Sequence, residues 1–221
     1  ESYIPEILDM LEYTCQQYIM PDCDFIINRK DFPLLTIDKS WAYNGLYDIN
    51  AKSDQPDVCW FVCSQSKKHI NKDIVIPTSD EWKFIHEIHT EVNTDWSKKA
   101  SLAVFRGSST GCSTDVTINK RLRLASISNK WKHQQLEQKQ KLDVGIVRFV
   151  KGLKVSNQTI HYLNPHTISI PIAKYLSYDM QSYYKYIFNI EGNAAAYRLF
   201  TLFYTKSVVL NIKSEYYLWL E

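Results

Sequence analysis

Residues 102–121 carry the side chains whose types and spacing best fit an anion-binding site. A short apolar run leads through Arg106 and Gly107 into a loop rich in hydroxyl groups, and a basic segment then begins a predicted helix. Loop amides and the positive end of a helix attract phosphate oxygens, and arginines add forked donors. The loop matches neither of the common glycine fingerprints for nucleotides. The pattern alone therefore leaves open an anion site and an ordinary polar surface loop.

A second candidate is the predicted turn Glu191-Gly192-Asn193, which follows an apolar strand. Gly192 permits unusual backbone dihedrals, and Asn193 can cap a helix predicted at 194–205. Three alanines would let a ligand approach the amides of that helix, and Arg198 one turn later could reach the ligand's charge. A tightly packed corner, in which the alanines touch a sheet, is the alternative.

The elements that must position these loops alternate between strands and helices. We predict strands at 25–27, 58–62, 74–76, 102–105, 144–147, 186–190 and 208–212. We predict helices at 3–18, 79–92, 122–142, 172–183 and 194–205, with loops at 36–56 and 151–167. Such alternation is typical of parallel sheets covered by helices on both faces, where ligands bind beyond the carboxyl ends of the strands. Both candidate loops lie at such ends.

Length and composition narrow the possible functions. The 221 residues suit one large or two small domains, and a 45% hydrophobic share is ample for a packed core. A net charge of +2 gives no support to a nucleic-acid partner, and no apolar run approaches the ~18 residues of a membrane span. Five cysteines without C-x-x-C spacing favour a reducing, cytoplasmic compartment over the secretory lumen. Because the sequence begins with Glu1, we expect a trimmed N-terminus.

Four separated segments resemble one known family, glycosyltransferase family 90, the capsule-associated-protein-like group that includes protein O-glucosyltransferases and fungal xylosyltransferases. The segments occur in the family's order over nearly the whole chain: PDCDFIINRKDFP at 21–33, Phe105-Arg106-Gly107-Ser108, Asn119-Lys120-Arg121, and YKYIFNIEGNAAAYR at 184–198.

The resemblance implies an α/β, GT-B-like fold of two facing Rossmann-type parallel-sheet domains. Residues 1–95 would form the acceptor-side domain and residues 96–221 the nucleotide-sugar-binding domain. The implied reaction is an inverting transfer of xylose or glucose from a UDP-sugar to a hydroxyl group of a glycan or protein. It needs no metal or other cofactor, because the UDP-sugar itself is the donor substrate.

The resemblance also implies a role for individual residues. Ser108, with the amides after Gly107, would hold the diphosphate, and Arg121 and Arg198 would supply its counter-charges. The other implied donor-site residues are Arg106, Gly107, Thr110, Gly192 and Asn193. Asp73 occupies the position of the family's general base, which takes the proton of the attacking hydroxyl. The alternative is that Asp73 is an ordinary solvated carboxylate in a loop.

The sequence departs from the family pattern in places. Lys120 replaces a proline, Leu218 replaces an acidic residue, and relatives continue beyond Glu221. These features fit a compact member, such as those carried by large DNA viruses, or a trimmed sequence. They also keep open a non-catalytic nucleotide- or carbohydrate-binding module.

Other side chains that could bind a metal or act as nucleophiles fit ordinary structural roles better. Asp22 and Asp24 form a D-x-D pair and define the alternative of a metal-dependent transferase, but they precede a strand instead of following one. His86 and His89 lie three apart on a predicted helix with no third ligand in sight, so a solvated helix face is the simpler interpretation. Cys59 and Cys63 flank an apolar strand and are expected in the core.

Overall fold

The computed structural model describes residues 4–36, 61–87, 94–133, 141–150, 153–156 and 159–221. Its contacts divide the chain into unit 1, which comprises Glu1–Ile88 and Ser214–Glu221, and unit 2, which comprises His89–Lys213. These units differ from the predicted domains 1–95 and 96–221 in grouping Ser214–Glu221 with the N-terminal part of the chain. The division into an acceptor-side and a nucleotide-sugar-binding domain stays a prediction. None of the described helices is long and apolar enough to cross a membrane.

Unit 1 is built on a small parallel sheet. Its helices are α1 (Ile4–Gln17) and α2 (Ser79–His86), and its strands are β1 (Phe25–Ile27), β2 (Phe61–Ser64), β3 (Lys67–Lys68), β4 (Ile74–Val75) and β11 (Tyr216–Tyr217). Strands β1, β2 and β4 pair in parallel, and β11 pairs antiparallel with β3. Leu34, Leu35 and Val62 form the apolar core beside the sheet. A capping box fixes the start of α2, because Thr78 and Glu81 each accept the other's backbone N–H.

Unit 2 contains a four-stranded parallel sheet, covered on both faces, and a separate two-stranded hairpin. Its strands are β5 (Ala100–Ser108), β6 (Leu142–Arg148), β7 (Leu153–Ser156), β8 (Thr159–Tyr162), β9 (Tyr184–Asn189) and β10 (Val208–Asn211). Its helices are α3 (Lys120–His133), α4 (Tyr178–Gln181) and α5 (Leu199–Phe203). Alternate residues of β5 face opposite ways, as strand geometry requires. Phe105 packs with Leu122 of α3, whereas Val104 packs with Leu202 of α5.

The order of the main sheet, β10-β9-β5-β6, contains a topological switch point. From β5 the chain passes through α3 to β6 on one side, and it later returns to β9 on the other side. Parallel sheets of this kind bind ligands in the crevice at the switch point, beyond the carboxyl ends of the strands. Here the ladder between β5 and β9 ends at Val104 and Ile187, although both strands continue further.

The predicted parallel α/β architecture is confirmed, but several boundaries are wrong. Arg106, Gly107 and Ser108 belong to strand β5 and not to a loop. Residues predicted as loops at 151–167 contain the antiparallel hairpin β7–β8. The predicted helix 172–183 is reduced to α4, α2 ends at His86, and Leu142 begins strand β6. Thr36, the first residue of the predicted loop 36–56, pairs with Asn71 in an isolated antiparallel bridge. The rest of that loop lies outside the described residues, as do Cys59 and His89.

The helix predicted at 194–205 is shortened to Leu199–Phe203. The alanines have a high intrinsic helix propensity, but tertiary packing overrides it. The amide of Gly192 donates to the carbonyl oxygen of Ala194, so the chain makes a tight turn there, and Ala194 and Ala196 are buried. Asn193 is therefore not the N-cap of a helix, and Arg198 holds that position. The helix terminus predicted directly after Gly192 does not exist.

Candidate active site

Arg198 joins β5 and β9 where their ladder has ended. Its Nη1 donates to the carbonyl oxygen of Arg106 in β5 at 2.8 Å, and its Nη2 donates to that of Phe188 in β9 at 3.1 Å. Its Nε is buried and has no hydrogen-bond partner among the described residues. Burial lowers the pKa of this guanidinium, although it stays a cation at any physiological pH.

Arg121, at the start of α3, makes a second bridge between the same two strands. Its Nη1 donates to the carbonyl oxygen of Ser108 at 3.2 Å, and its Nη2 donates to that of Ile190 at 2.8 Å. Burial and the nearby charge of Arg198 lower the pKa of Arg121 to about 10, against the opposing influence of Glu191. Two guanidinium cations thus lie together at the switch point, and neither forms a salt bridge within the described part of the chain.

Thr110 and Gly192 complete this cluster. The hydroxyl of Thr110 accepts a hydrogen bond from Nη1 of Arg121 at 2.7 Å and lies 3.3 Å from the hydroxyl of Ser108. A Cβ atom on Gly192 would stand 2.9 Å from Oγ1 of Thr110 and 3.2 Å from Nη2 of Arg121. A side chain at position 192 would therefore displace both groups, so glycine is required by the close approach of the turn to Arg121.

Asn119 organises the loop between β5 and α3. Its Oδ1 accepts hydrogen bonds from the amides of Arg121 and Leu122, which caps α3, and its Nδ2 donates to the carbonyl oxygens of Ser109 and Ser113. The side chain is almost fully buried. Asn119 belongs to one of the segments that carry the family resemblance, but we predicted no role for it in the site. An asparagine directly before a basic helix is itself an N-cap signal.

Asn193 lies against the same loop, because its Oδ1 accepts a hydrogen bond from the amide of Gly111 at 3.2 Å. The structure therefore brings together Ser108, Thr110, Arg121, Gly192, Asn193 and Arg198, which are six of the predicted donor-site residues. The predicted Gly107 lies beside them, since a Cβ on it would stand 3.6 Å from Nη1 of Arg121.

The side chain of Arg106 is directed elsewhere. Its Nη2 donates to both carboxylate oxygens of Asp143 in β6, and its Nε donates to the carbonyl oxygen of Lys174. Its Nη1 donates to the backbone carbonyls of Phe105 and Asp143. All the nitrogens of the predicted donor-binding Arg106 thus have protein partners, and it meets the cluster only through its own carbonyl oxygen.

Asp73 belongs to unit 1 and is fully buried. Its Oδ1 accepts hydrogen bonds from the amide of Leu34 and the hydroxyl of Ser64, and its Oδ2 accepts one from the amide of Leu35. The carboxylate therefore ties the segment after β1 to β2 and β4, which is more than a solvated loop residue would do. Its role as general base stays a prediction.

Asp22 and Asp24 are exposed and precede β1. The described residues contain no group of three or more His, Cys, Asp or Glu side chains placed to hold a metal ion. Leu218, at the position where the family carries an acidic residue, is buried in unit 1.

Comparison with known proteins gives a consistent result. Residues 5–220 match the family model described as "Glycosyl transferase family 90". The chain is 30% identical to Uncharacterized protein 035R of Invertebrate iridescent virus 3, over 96% of this chain and 20% of that protein. It is 28% identical to O-glucosyltransferase rumi of Drosophila melanogaster, over 89% of this chain and 43% of that protein. It is 26% identical to human Protein O-glucosyltransferase 3, over 91% of this chain and 34% of that protein.

The chain thus spans between about a fifth and less than half of the length of these relatives. The match to the family model nevertheless covers nearly every residue, including all four sequence segments and the arginine cluster at the switch point. The chain belongs to glycosyl transferase family 90.

Proposed function

We propose that this chain transfers glucose or xylose from a UDP-sugar to a hydroxyl group of a glycan or protein, with inversion at the anomeric carbon and in a GT-B arrangement. The observation that carries the proposal is the pair of buried guanidinium groups of Arg121 and Arg198 at the switch point of unit 2. Burying two cations without carboxylate partners is costly, so such a site favours an anionic ligand.

A nucleoside diphosphate fits this site in charge and in hydrogen bonding. Guanidinium forks match phosphate oxygens, and Nε of Arg198 still lacks a partner. The hydroxyl groups of Ser108 and Thr110 lie beside the arginines and can donate to the same oxygens. The diphosphate is also the leaving group, so the cations would stabilise the negative charge that develops as the sugar departs. The names of the Drosophila and human relatives favour glucose as the sugar.

Asp73 is the proposed general base. The carboxylate would take the proton of the acceptor hydroxyl as that oxygen attacks the anomeric carbon. The support is its match to the position of the family's general base, directly before Ile74-Val75-Ile76-Pro77, and the fixed orientation that its three hydrogen bonds impose.

The test is release of UDP from a panel of UDP-sugars, with and without chelator, by the wild type and by Asp73→Asn. We expect release from UDP-glucose or UDP-xylose that survives chelation and is lost in the variant. UDP binding by Asp73→Asn, measured in parallel by calorimetry, shows whether unit 2 is intact, because Asp73 lies in unit 1.

Other outcomes would replace parts of the proposal. Release that requires a divalent metal and is lost in an Asp22→Asn, Asp24→Asn double variant would support the metal-dependent alternative. UDP binding without turnover in the presence of hydroxyl acceptors would support a non-catalytic module. Absence of UDP binding by the wild type would contradict the reading of the arginine cluster as a donor site.

A further inference from the structure

The aromatic ring of Phe105 lies against both arginines of the cluster. The guanidinium carbon of Arg198 is 4.5 Å from the ring centroid, and that of Arg121 is 5.5 Å from it. The ring is fully buried. It is also closely fitted, because a Cβ on Gly107 would stand 2.8 Å from its Cζ atom.

This contact offsets part of the electrostatic cost of placing two like charges close together in the cluster. The two guanidinium groups carry like charges, and the charge of Arg198 contributes to the lowered pKa of Arg121. Neither group forms a salt bridge with a carboxylate of the described residues. The face of an aromatic ring carries a negative partial charge that attracts cations, most strongly where water is excluded. One phenyl ring therefore compensates part of the charge of both arginines.

The ring also restricts where the arginines point. Arg198 donates from Nη1 and Nη2 to two backbone carbonyl oxygens, but its Nε makes no hydrogen bond. These two hydrogen bonds leave the guanidinium plane some freedom to rotate. Contact with a fixed aromatic surface limits the remaining rotation. Because β5 carries Phe105 towards α3, the same residue that fills the core also reaches the arginine cluster.

We propose that Phe105 is a positioning residue of the donor site, whose ring holds the guanidinium groups of Arg121 and Arg198 in the orientation that binds a diphosphate. The proposal rests on the proposed function and deepens it. Phe105 acts through the two arginines and does not itself touch the substrate.

Phe188 offers a matched control. It is also a buried phenylalanine of the main sheet and belongs to the same core cluster. It meets Arg198 through its backbone carbonyl oxygen, which a side-chain substitution keeps. Phe188→Leu should therefore lose core packing as Phe105→Leu does, while it leaves the ring beneath the arginines in place.

The experiment measures the affinity of the wild type, Phe105→Leu and Phe188→Leu for UDP and for uridine, which lacks phosphates, together with each melting temperature. We expect Phe105→Leu to bind UDP about tenfold more weakly, from the usual strength of buried cation–π contacts, with uridine affinity unchanged. Phe188→Leu should bind both ligands as the wild type does. If Phe105→Leu fails to fold, Phe105→Met replaces it, since methionine keeps a similar volume without an aromatic face.

Equal losses for UDP and uridine would overturn the proposal, since the ring would then act through the packing of the whole unit. An unchanged UDP affinity in a folded Phe105 variant would overturn it as well. A wild type that binds no UDP is a different result, because it removes the proposed function before any variant is compared.

Discussion

Both carboxylate oxygens of Asp143 accept a hydrogen bond from Nη2 of Arg106, each at 2.9 Å. Nε and Nη1 of Arg106 donate to backbone carbonyl oxygens. One of these oxygens belongs to Lys174, in the segment beside the edge strand β6. Arg106 therefore ties β5 to β6 and to the chain segment along the edge of β6. Arg106 thus supports the sheet that carries the arginine cluster, and its predicted contact with the donor stays a prediction.

Asp143→Asn should destabilise unit 2 by about 3 kcal/mol at neutral pH, because it leaves the mostly buried Arg106 without its counter-charge. Tyr184→Phe, which removes one hydrogen bond to the same carboxylate, should cost about 1 kcal/mol. Urea unfolding followed by circular dichroism measures both. Equal, small effects of the two substitutions would show that the ion pair contributes little.

The same carboxylate should give unit 2 an acid-sensitive stability. Burial acts to raise the pKa of Asp143, but the charge of Arg106 and hydrogen bonds from Tyr184, Arg106 and Lys132 outweigh it and lower the pKa below its ordinary value. A lowered pKa in the folded state means that the contribution is complete above the ordinary value of 3.8 and is lost as pH falls through the folded value. The stability difference between wild type and Asp143→Asn should therefore shrink below about pH 4.

The parallel architecture was predictable from sequence because it depends on apolar runs that alternate with helical periodicity. Residue types and strand order already placed both candidate loops, and Arg198 with the second, at the carboxyl ends of strands, and the family resemblance added individual roles for Ser108 and Arg121. What failed was local: the alanines after Gly192 have the propensity of a helix, but packing holds them in a turn. The partner of Arg106 could not be predicted, because Asp143 lies far along the chain and only the register of β5 with β6 brings the two together.

Gly192→Ala tests the close approach of the turn to the arginine cluster. The new Cβ would push Oγ1 of Thr110 away and break its 2.7 Å hydrogen bond with Arg121. We expect UDP affinity to fall about tenfold, which corresponds to one hydrogen bond to a charged group. The melting temperature should fall as well, because the broken bond belongs to the folded protein. Thr110→Ser keeps the hydroxyl and is the control, which should bind UDP as the wild type does. Wild-type affinity in Gly192→Ala would show that the turn lies apart from the ligand.

Arg198→Lys tests whether charge alone is sufficient at the switch point. Lysine keeps the positive charge but cannot donate in two fixed directions to the carbonyl oxygens of Arg106 and Phe188. We therefore expect both a lower melting temperature and at least tenfold weaker UDP binding. Arg123→Lys, at an exposed position of α3, is the control. Full UDP affinity in Arg198→Lys would mean that the cation acts as a simple point charge.

Asp73→Asn should lower the stability of the protein, in addition to its effect on any catalysis by Asp73. Asparagine has one acceptor oxygen in place of two, so at least one of the buried donors from Leu34, Leu35 and Ser64 loses its partner. An unsatisfied buried donor costs about 1–3 kcal/mol. Activity must therefore be compared at a temperature where both proteins are folded, as judged by circular dichroism. A variant with wild-type stability would contradict the hydrogen-bond network described for Asp73.

Trp219 and Glu81 provide a test in unit 1 that is independent of the arginine cluster in unit 2. Nε1 of Trp219 donates to Oε2 of the buried Glu81 at 2.6 Å. Burial raises the pKa of Glu81, and the hydrogen bonds from Thr78 and Trp219 oppose that rise because they stabilise the charged form. Trp219→Phe should therefore destabilise the protein by about 1–2 kcal/mol at a pH above the raised folded pKa of Glu81, where the carboxylate has lost a donor.

The cost of Trp219→Phe should decrease as pH falls through the raised folded pKa of Glu81. A raised pKa in the folded state means that the protonated form favours folding, and a protonated carboxyl depends less on the donated hydrogen bond. Urea titrations at pH 7 and pH 4, followed by circular dichroism since the substitution removes a fluorophore, measure both values. In a Glu81→Gln background the cost of Trp219→Phe should no longer vary with pH. A pH-dependent cost in that background would assign the effect to another titrating group.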